Sequence, residues 1–381
     1  MKRTIYGEDH EAFRDTVRSF LISEAAPHQG EWFDQGFVSK EFFARMGELG
    51  LIGMQVPEEF GGGGVDSYKF NTVLAEETAA QHVSLGGLRV HMDIILPYFM
   101  EYADDEQKKR WLPGIAAGTL MTSIAMTEPG AGSDLAGIAT TARLDGDHYV
   151  INGAKTFITG GIGADLVVVV ARTSKSENRR SGLSLLVVED GTPGFSRGRN
   201  LEKIGLKAQD TAELFFEDVR VPVDNLLGNE GEAFTYLSSN LPQERLSISV
   251  NAVSQARAAL NATIGYVQDR KAFGQSIGSF QNTKFVLAGL SAQIEAGESL
   301  LDRAIEEHDR GELTVADAAR VKLFATELQG RVMDECLQLH GGYGYMLEYP
   351  IARMYADARV SRIYGGSSEI MKVIIAKSLG L

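Results

Sequence analysis

Residues 246–267 read LSISVNAVSQARAALNATIGYV, and the spacing of apolar residues in this stretch decides the architecture. Leu246, Val250, Val253, Leu260, Ile264 and Val267 recur on a near-heptad spacing, which collects them on one face of a helix. So long a seam needs other helices, or a second subunit, to cover it, and a helical bundle is expected. Downstream, Thr314 and Asp317 have capping-box spacing ahead of Val321, Leu328 and Val332. Upstream the period changes. Between about Met121 and Leu227, β-branched and aromatic runs alternate with Gly, Asn and Asp: His148 to Ile151, Leu166 to Val170, Leu183 to Val188, and Leu214 to Phe216 with Val219 and Val221. That is the pattern of a small β domain of packed sheets. From Asp9 to Gly118 the spacing is again helical, with Phe13, Val17, Phe20 and Leu21 on one face and Phe42, Met46 and Leu49 on another. Asp104 and Gln107 make a capping box before Trp111, and Pro113-Gly114 is expected to end that helix. The fold class is therefore α+β multidomain: an N-terminal helical domain (1–120), a middle β-sheet domain (121–228) and a C-terminal four-helix-bundle-like domain (229–381).

Composition narrows the function. The chain has 381 residues, 37 Lys+Arg against 51 Asp+Glu and a net charge of −14. Nucleic-acid binders need clustered cations to neutralise phosphates, and the only basic runs, Lys108 to Arg110 and Arg179-Arg180, are short, so no nucleic acid is expected. No apolar stretch approaches the roughly 20 residues that cross a bilayer, so no integral membrane segment is expected. The N-terminus lacks the apolar region of a secretory signal, and Cys336 is the single cysteine. A reducing compartment follows as the expectation: cytoplasmic, or the mitochondrial matrix for a processed eukaryotic chain.

The usual nucleotide devices are poor matches. Gly130 to Ser133 and Gly161 to Ala164 start like dinucleotide fingerprints but lack the third glycine and any surrounding βαβ unit. Walker, His-Glu-x-x-His, CxxC and Gly-x-Ser-x-Gly patterns are missing, so no metal site is expected. What remains are polar glycine-rich loops. Met126 to Asp134 combines hydroxyls, backbone N–H groups and small residues; it reads either as a wrap around a flat polar ligand or as a solvated turn. Leu339 to Tyr345 follows a helix, and glycine capping explains one of its glycines but not two glycines with two tyrosines. Ile363 to Ile370 precedes a last helix whose first amides suit a carbonyl or phosphate.

Six motifs in order give these loops a common meaning: Val56 to Gly62 (VPEEFGG), Met126 to Asp134 (MTEPGAGSD), Asn152 to Thr159 (NGAKTFIT), Asp269 to Gly274 (DRKAFG), Gln338 to Tyr345 (QLHGGYGY) and Ile363 to Ile370 (IYGGSSEI). Together they resemble the acyl-CoA dehydrogenases, flavoenzymes that desaturate acyl-CoA thioesters between Cα and Cβ, and the likeness is strongest to the long-chain branch. The resemblance implies FAD held by Ile124, Ala125, Met126, Thr127, Gly132 and Ser133 and by Phe157, Ile158 and Thr159, with the Phe157 ring against the isoalloxazine. Many relatives carry Trp there. It also implies that Arg270, Gln281, Gln338, Leu339, His340, Gly341 and Gly342 reach the FAD of a neighbouring subunit, and that Ser367, Ser368 and Glu369 complete the cofactor contacts. Substrate contacts are implied at Ser133, Thr235, Pro242, Gln243, Arg245, Gly365 and Gly366. The implied partners are an acyl-CoA substrate, an electron-transfer flavoprotein, and copies of the chain itself in a homo-oligomer, at least a dimer and by family habit a tetramer.

Desaturation needs a poorly solvated carboxylate near the α-carbon. Many relatives place it immediately before the glycine of the terminal motif, where this chain has Gly365, which has no side chain. The long-chain and isovaleryl branches place a Glu early in the C-terminal domain, and Asn240 to Leu246 (NLPQERL) follows that pattern, so Glu244 is the candidate base. The residues alone leave another reading of Glu244. Pro242 suits the first position of a helix, and an acidic residue in the first turn is stabilised by the helix dipole without any catalytic reason. Two rival functions share the loops: a flavin-dependent acyl oxidase or monooxygenase of the same fold, and a non-catalytic acyl-thioester-binding scaffold.

Overall fold

In the computed structural model, which describes residues 3–175 and 177–381, the near-heptad seam lies within one helix of 37 residues, Ala233–Asp269. Met1 and Lys2 of the N-terminal stretch, and Ser176 of the polar loop at 174–181, lie outside the described residues. The helices are α1 (Glu8–Phe20), α2 (Gln29–Gln35), α3 (Lys40–Glu48), α4 (Lys69–Ala80), α5 (Leu96–Tyr102), α6 (Asp105–Ala116), α7 (Ala233–Asp269), α8 (Gln281–Asp309), α9 (Val315–His340), α10 (Pro350–Ala358) and α11 (Ser368–Ser378). Leu246, Val250, Val253, Leu260 and Val267 are buried against α8 and α9, and Ile264 packs on the same core. The Asp104–Gln107 capping box forms in full, and Thr314 caps α9 by accepting from the Asp317 N–H.

Two prolines do not end helices. Pro113 lies inside α6 and Pro242 inside α7. Each costs its helix one ladder hydrogen bond, but burial of Trp111, Leu112 and Ile115 in one case, and of Leu237 and Leu246 in the other, carries the helix through. The consequence for α7 is direct. Glu244 lies mid-helix, not in a first turn, so a helix-start role does not account for it.

The middle domain comprises β1 (Thr122–Ala125), β2 (Thr141–Asp145), β3 (His148–Thr159), β4 (Leu166–Arg172), β5 (Leu183–Glu189), β6 (Phe195–Asn200), β7 (Thr211–Pro222) and β8 (Leu226–Leu227). They form one sheet in the order β6-β7-β3-β2-β4-β5-β8, with β1 pairing parallel to β4, rather than separate packed sheets. This sheet folds on itself across the β2–β4 join, where Thr141 pairs with Arg172. Val167 and Val169 of β4 and Leu186 and Val188 of β5 then share a core with Ile151 of β3 and Phe216 and Val219 of β7. The alternate residues Val168, Val170, Leu185 and Val187 face α5, α6 and the start of α7. Burial on both faces explains why β4 reads as an unbroken aliphatic run. Among the described residues, no helix is long and apolar enough to cross a membrane.

The two-sided burial is testable. Leu185→Ala, which opens a cavity between the sheet and the helices, should cost about 2–5 kcal/mol. Leu144→Ala on the open face of β2, where the side chain is 52% exposed, should stay within roughly 0.5 kcal/mol. Thermal unfolding of the two variants side by side makes the comparison.

Candidate active site

Three groups of side chains carry the candidate chemistry. The first surrounds Glu244. Its carboxyl is buried on α7, and burial holds it above the usual carboxylate range against the pull of Arg245 and Lys322. Gly365 lies opposite, with φ +64°, and a Cβ built on it would stand 3.4 Å from Glu244 Oε1 and 2.2 Å from Ile248 Cδ1. The two places from which a carboxylate could serve this spot thus face one another, and here Ile248 fills the space at Gly365. Arg245 Nε donates to the Gly365 carbonyl at 3.4 Å, and Lys322 Nζ to the Gly366 carbonyl at 2.8 Å. Tyr98 of α5 is buried and feels the Glu244 charge. Among the described residues, Asn240 Nδ2 and Arg245 Nη1 are buried donors with no partner.

The second group is on the β domain. Glu128 is buried and accepts from Lys155 Nζ at 2.8 Å and from the backbone N–H groups of Ala139 and Thr140. Burial opposes its ionisation, but those donors, Lys155 foremost, hold its carboxyl below the usual range. Lys155 also donates to the Met126 carbonyl, and Thr156 N–H to that of Thr127, so the 126–134 loop is bound to β3. Burial pushes the Lys155 ammonium down to about 8. Two residues on, Phe157 has φ +58° and is 68% exposed, at a register shift between β3 and β7. A left-handed phenylalanine is strained, and the bulge turns its ring out of the sheet.

The third group is in the C-terminal domain. Arg270 and Gln338 to Gly342 line one cavity of about 490 Å³ with Tyr266 and Tyr343. The Arg270 guanidinium sits over the Tyr343 ring, 5.4 Å from its centroid, and Tyr266 stacks on His340 at 4.2 Å. A Cβ added at Gly341 or Gly342 would meet nothing within 4 Å, so bare backbone borders the opening.

Family models for the N-terminal, middle and C-terminal domains of acyl-CoA dehydrogenases match residues 7–119, 123–219 and 231–380. The chain belongs to the acyl-CoA dehydrogenase family. It is 46% identical over 378 residues to the mitochondrial long-chain specific acyl-CoA dehydrogenase of Sus scrofa, covering 99% of this chain and 88% of that one. The crystal structure of an acyl-CoA dehydrogenase from Geobacillus kaustophilus superposes with TM-score 0.97 at 49% identity, covering 99% of both chains. A glutaryl-CoA dehydrogenase from Mycobacterium smegmatis in complex with FADH2 superposes with TM-score 0.90 at 29% identity, covering 98% and 95%.

This acyl-CoA dehydrogenase is an oxidoreductase whose cofactor is FAD. The residues present fit that group. The 490 Å³ cavity offers Arg270, whose planar fork matches a diphosphate, beside unencumbered glycine backbone. Phe157 offers an outward ring for a flat heterocycle. Of the residues singled out in the sequence, Glu244, Arg245, Gly365 and Gly366 come together, as do Ile124 to Thr127 with Phe157 to Thr159, and Arg270 with Gln338 to Gly342. Others are engaged elsewhere. Gln243 Nε2 donates to the Asp93 carbonyl, Ser368 Oγ to Glu327, and Thr235 Oγ1 to Glu232. Gln281 opens α8 and is exposed.

Sequence reasoning missed the supports. Lys155 lies inside a quoted motif, but its burial is visible only in three dimensions. His91 is buried and accepts from Thr122 N–H through Nδ1, joining the N-terminal domain to β1; burial pushes it down to about 4, so it stays neutral. Lys155→Met leaves Glu128 buried without its cation, a change worth about 3–5 kcal/mol when a buried pair is broken. That variant should lose FAD on dialysis and unfold earlier, as read from the flavin-to-protein absorbance ratio and a melting curve.

Proposed function

We propose that this acyl-CoA dehydrogenase converts medium- or long-chain or branched acyl-CoA thioesters to trans-2-enoyl-CoA, with Glu244 as the base, and passes its electrons to an electron-transfer flavoprotein. The observation that carries this reading is the buried Glu244 carboxyl facing the side-chain-free Gly365. Bound FAD supplies a hydride acceptor for the β-carbon. The protein supplies the rest. Glu244 takes the α-proton, its affinity for that proton raised by burial. The C–H electron pair moves into the Cα–Cβ bond as the β-hydride leaves, so charge balances. Gly365 faces the Glu244 carboxyl, so the reacting carbon is assigned to the space between them, and the buried Tyr98 and Phe99 of α5 with Leu237 on α7 keep water away.

For FAD we assign Ile124 to Thr127, Gly132 and Ser133 to the flavin side with Phe157 to Thr159, Ser367 to Glu369 to its closure, and Arg270, Gln281 and Gln338 to Gly342 to the diphosphate and adenosine of a neighbouring subunit. Thr235, Pro242, Gln243 and Arg245 are the proposed surroundings of the acyl-CoA. The long-chain name of the Sus scrofa relative supports a long acyl chain. The exposed Phe273, Phe285 and Tyr345 of the C-terminal domain support covering by a second copy. Dilution should then release FAD and subunits together, and a fully flavinated monomer in sedimentation would contradict the shared site.

Glu244→Gln keeps the shape of the side chain but removes its basicity. FAD content and thioester binding should persist while flavin reduction by acyl-CoA falls about 100- to 10,000-fold. In the native enzyme, reduction should slow as pH drops through a carboxyl value that burial has raised above the usual carboxylate range, because only the ionised form accepts the proton. Gly365→Glu combined with Glu244→Gln should recover activity only with Ile248→Ala, which clears the 2.2 Å clash. Wild-type flavin reduction by Glu244→Gln with every acyl-CoA tried would remove Glu244 from the mechanism.

A further inference from the structure

Lys322 is a cation in an unexpected place. It lies on α9, its side chain is fully buried, and its ammonium donates to a single carbonyl, that of Gly366, at 2.8 Å. Among the described residues, no carboxylate oxygen lies within 4 Å of it in an ion pair. A buried charge without a close counter-charge is costly, and replacing it by an apolar side chain of similar volume is often neutral or stabilising. Its retention therefore asks for a role that an apolar residue cannot fill.

Two features define that role. Gly365 and Gly366 both have left-handed backbone, φ +64° and +91°, so their carbonyls need external partners to stay in one orientation. Arg245 holds the first and Lys322 the second. The same two cations are the charges that act on Glu244. The titratable groups around the base come from three elements: the cations Arg245 on α7 and Lys322 on α9, and the neutral Tyr98 hydroxyl on α5. Lys322 is in turn acted on by Arg245, Glu244, Glu327 and Glu369.

We propose that Lys322 is a positioning residue for the dehydrogenation: it fixes the Gly366 carbonyl beside the substrate and supplies the positive field that keeps the buried Glu244 ionised. The inference rests on Glu244 being the base. Arg245 supplies the larger part of that field and is bonded to the Gly365 carbonyl, so Lys322 is the second cation and the one that holds Gly366. Burial pushes the Lys322 ammonium down to about 8, so its field weakens in mildly alkaline solution.

The test uses the flavin-loaded enzyme with Lys322→Met, which loses hydrogen bond and charge, and Lys322→Gln, which loses the charge but keeps an N–H donor on a side chain one bond shorter. Flavin reduction by acyl-CoA is followed across pH in a stopped-flow instrument, with Glu244→Gln as reference. Removing a nearby positive charge raises the carboxyl's proton affinity, so the acid limb should move up by about one pH unit in both variants. Below that limb the rate should fall about tenfold. Lys322→Met should also lower the pH-independent rate, and more than Lys322→Gln does, through the freed Gly366 carbonyl. An acid limb at the wild-type position in both variants overturns the proposal while leaving Glu244 as base. Wild-type reduction by Glu244→Gln overturns base and proposal together. Failure of both variants to fold with FAD also overturns it, because Lys322 would then be a structural cation.

Discussion

A carboxylate that takes a proton from carbon must be withheld from water without being discharged, and around Glu244, the proposed base, burial and two neighbouring cations act in those two opposite senses. Burial raises its proton affinity, and Arg245 and Lys322 pull in the opposite direction. Neither demand could be met by α7 alone. The N-terminal helices supply the wall, with Tyr98 and Phe99 buried beside the start of α7, and α9 supplies the lysine. The meeting of the N-terminal and C-terminal domains is in this sense a requirement of the proposed proton transfer, because one helix cannot surround its own side chain.

The seating of α7 against the N-terminal domain is polar. Asp93, on a π-helical turn at Val90–Ile95, accepts from Asn71 Nδ2 at 2.7 Å and from Ser247 Oγ at 2.5 Å, while its carbonyl accepts from Gln243. Arg89 adds a bond to the Ser247 carbonyl. Buried polar bonds of this kind contribute little net stability but penalise any slipped arrangement, since a displaced partner would be left unsatisfied. They fix which turn of α7 faces the inside, and therefore where Glu244 points.

A similar device fixes the β-domain loops. The Glu128–Lys155 pair joins the loop after β1 to the middle of β3, so two motifs separated in sequence become one rigid unit. The bulge at Phe157 then accepts backbone strain to turn a ring outward. Strain of that kind persists only where surrounding bonds over-determine the chain, and the ion pair two residues away supplies them.

The apolar periodicities of this chain determined helices α1, α3, α6, α7 and α9 and the interior strands β3, β4, β5 and β7 by themselves. The seam from Leu246 to Val267 and the runs in β3, β4, β5 and β7 repeat because each faces a core. The strands β2 and β6 were not legible, because Thr141–Asp145 and Phe195–Asn200 carry charges on half-exposed surface and show no apolar run. Pro113 and Pro242 misled because local propensity is outweighed by packing that lies elsewhere in the chain. The loop motifs and the candidate base were readable from residue identity, since the chemistry demands those residue types. What only the tertiary structure decided was their electrostatic setting. Burial of Glu244, the approach of Lys322 and the pairing of Glu128 with Lys155 depend on distances between residues remote in sequence, and a charge takes its proton affinity from those distances rather than from its neighbours along the chain.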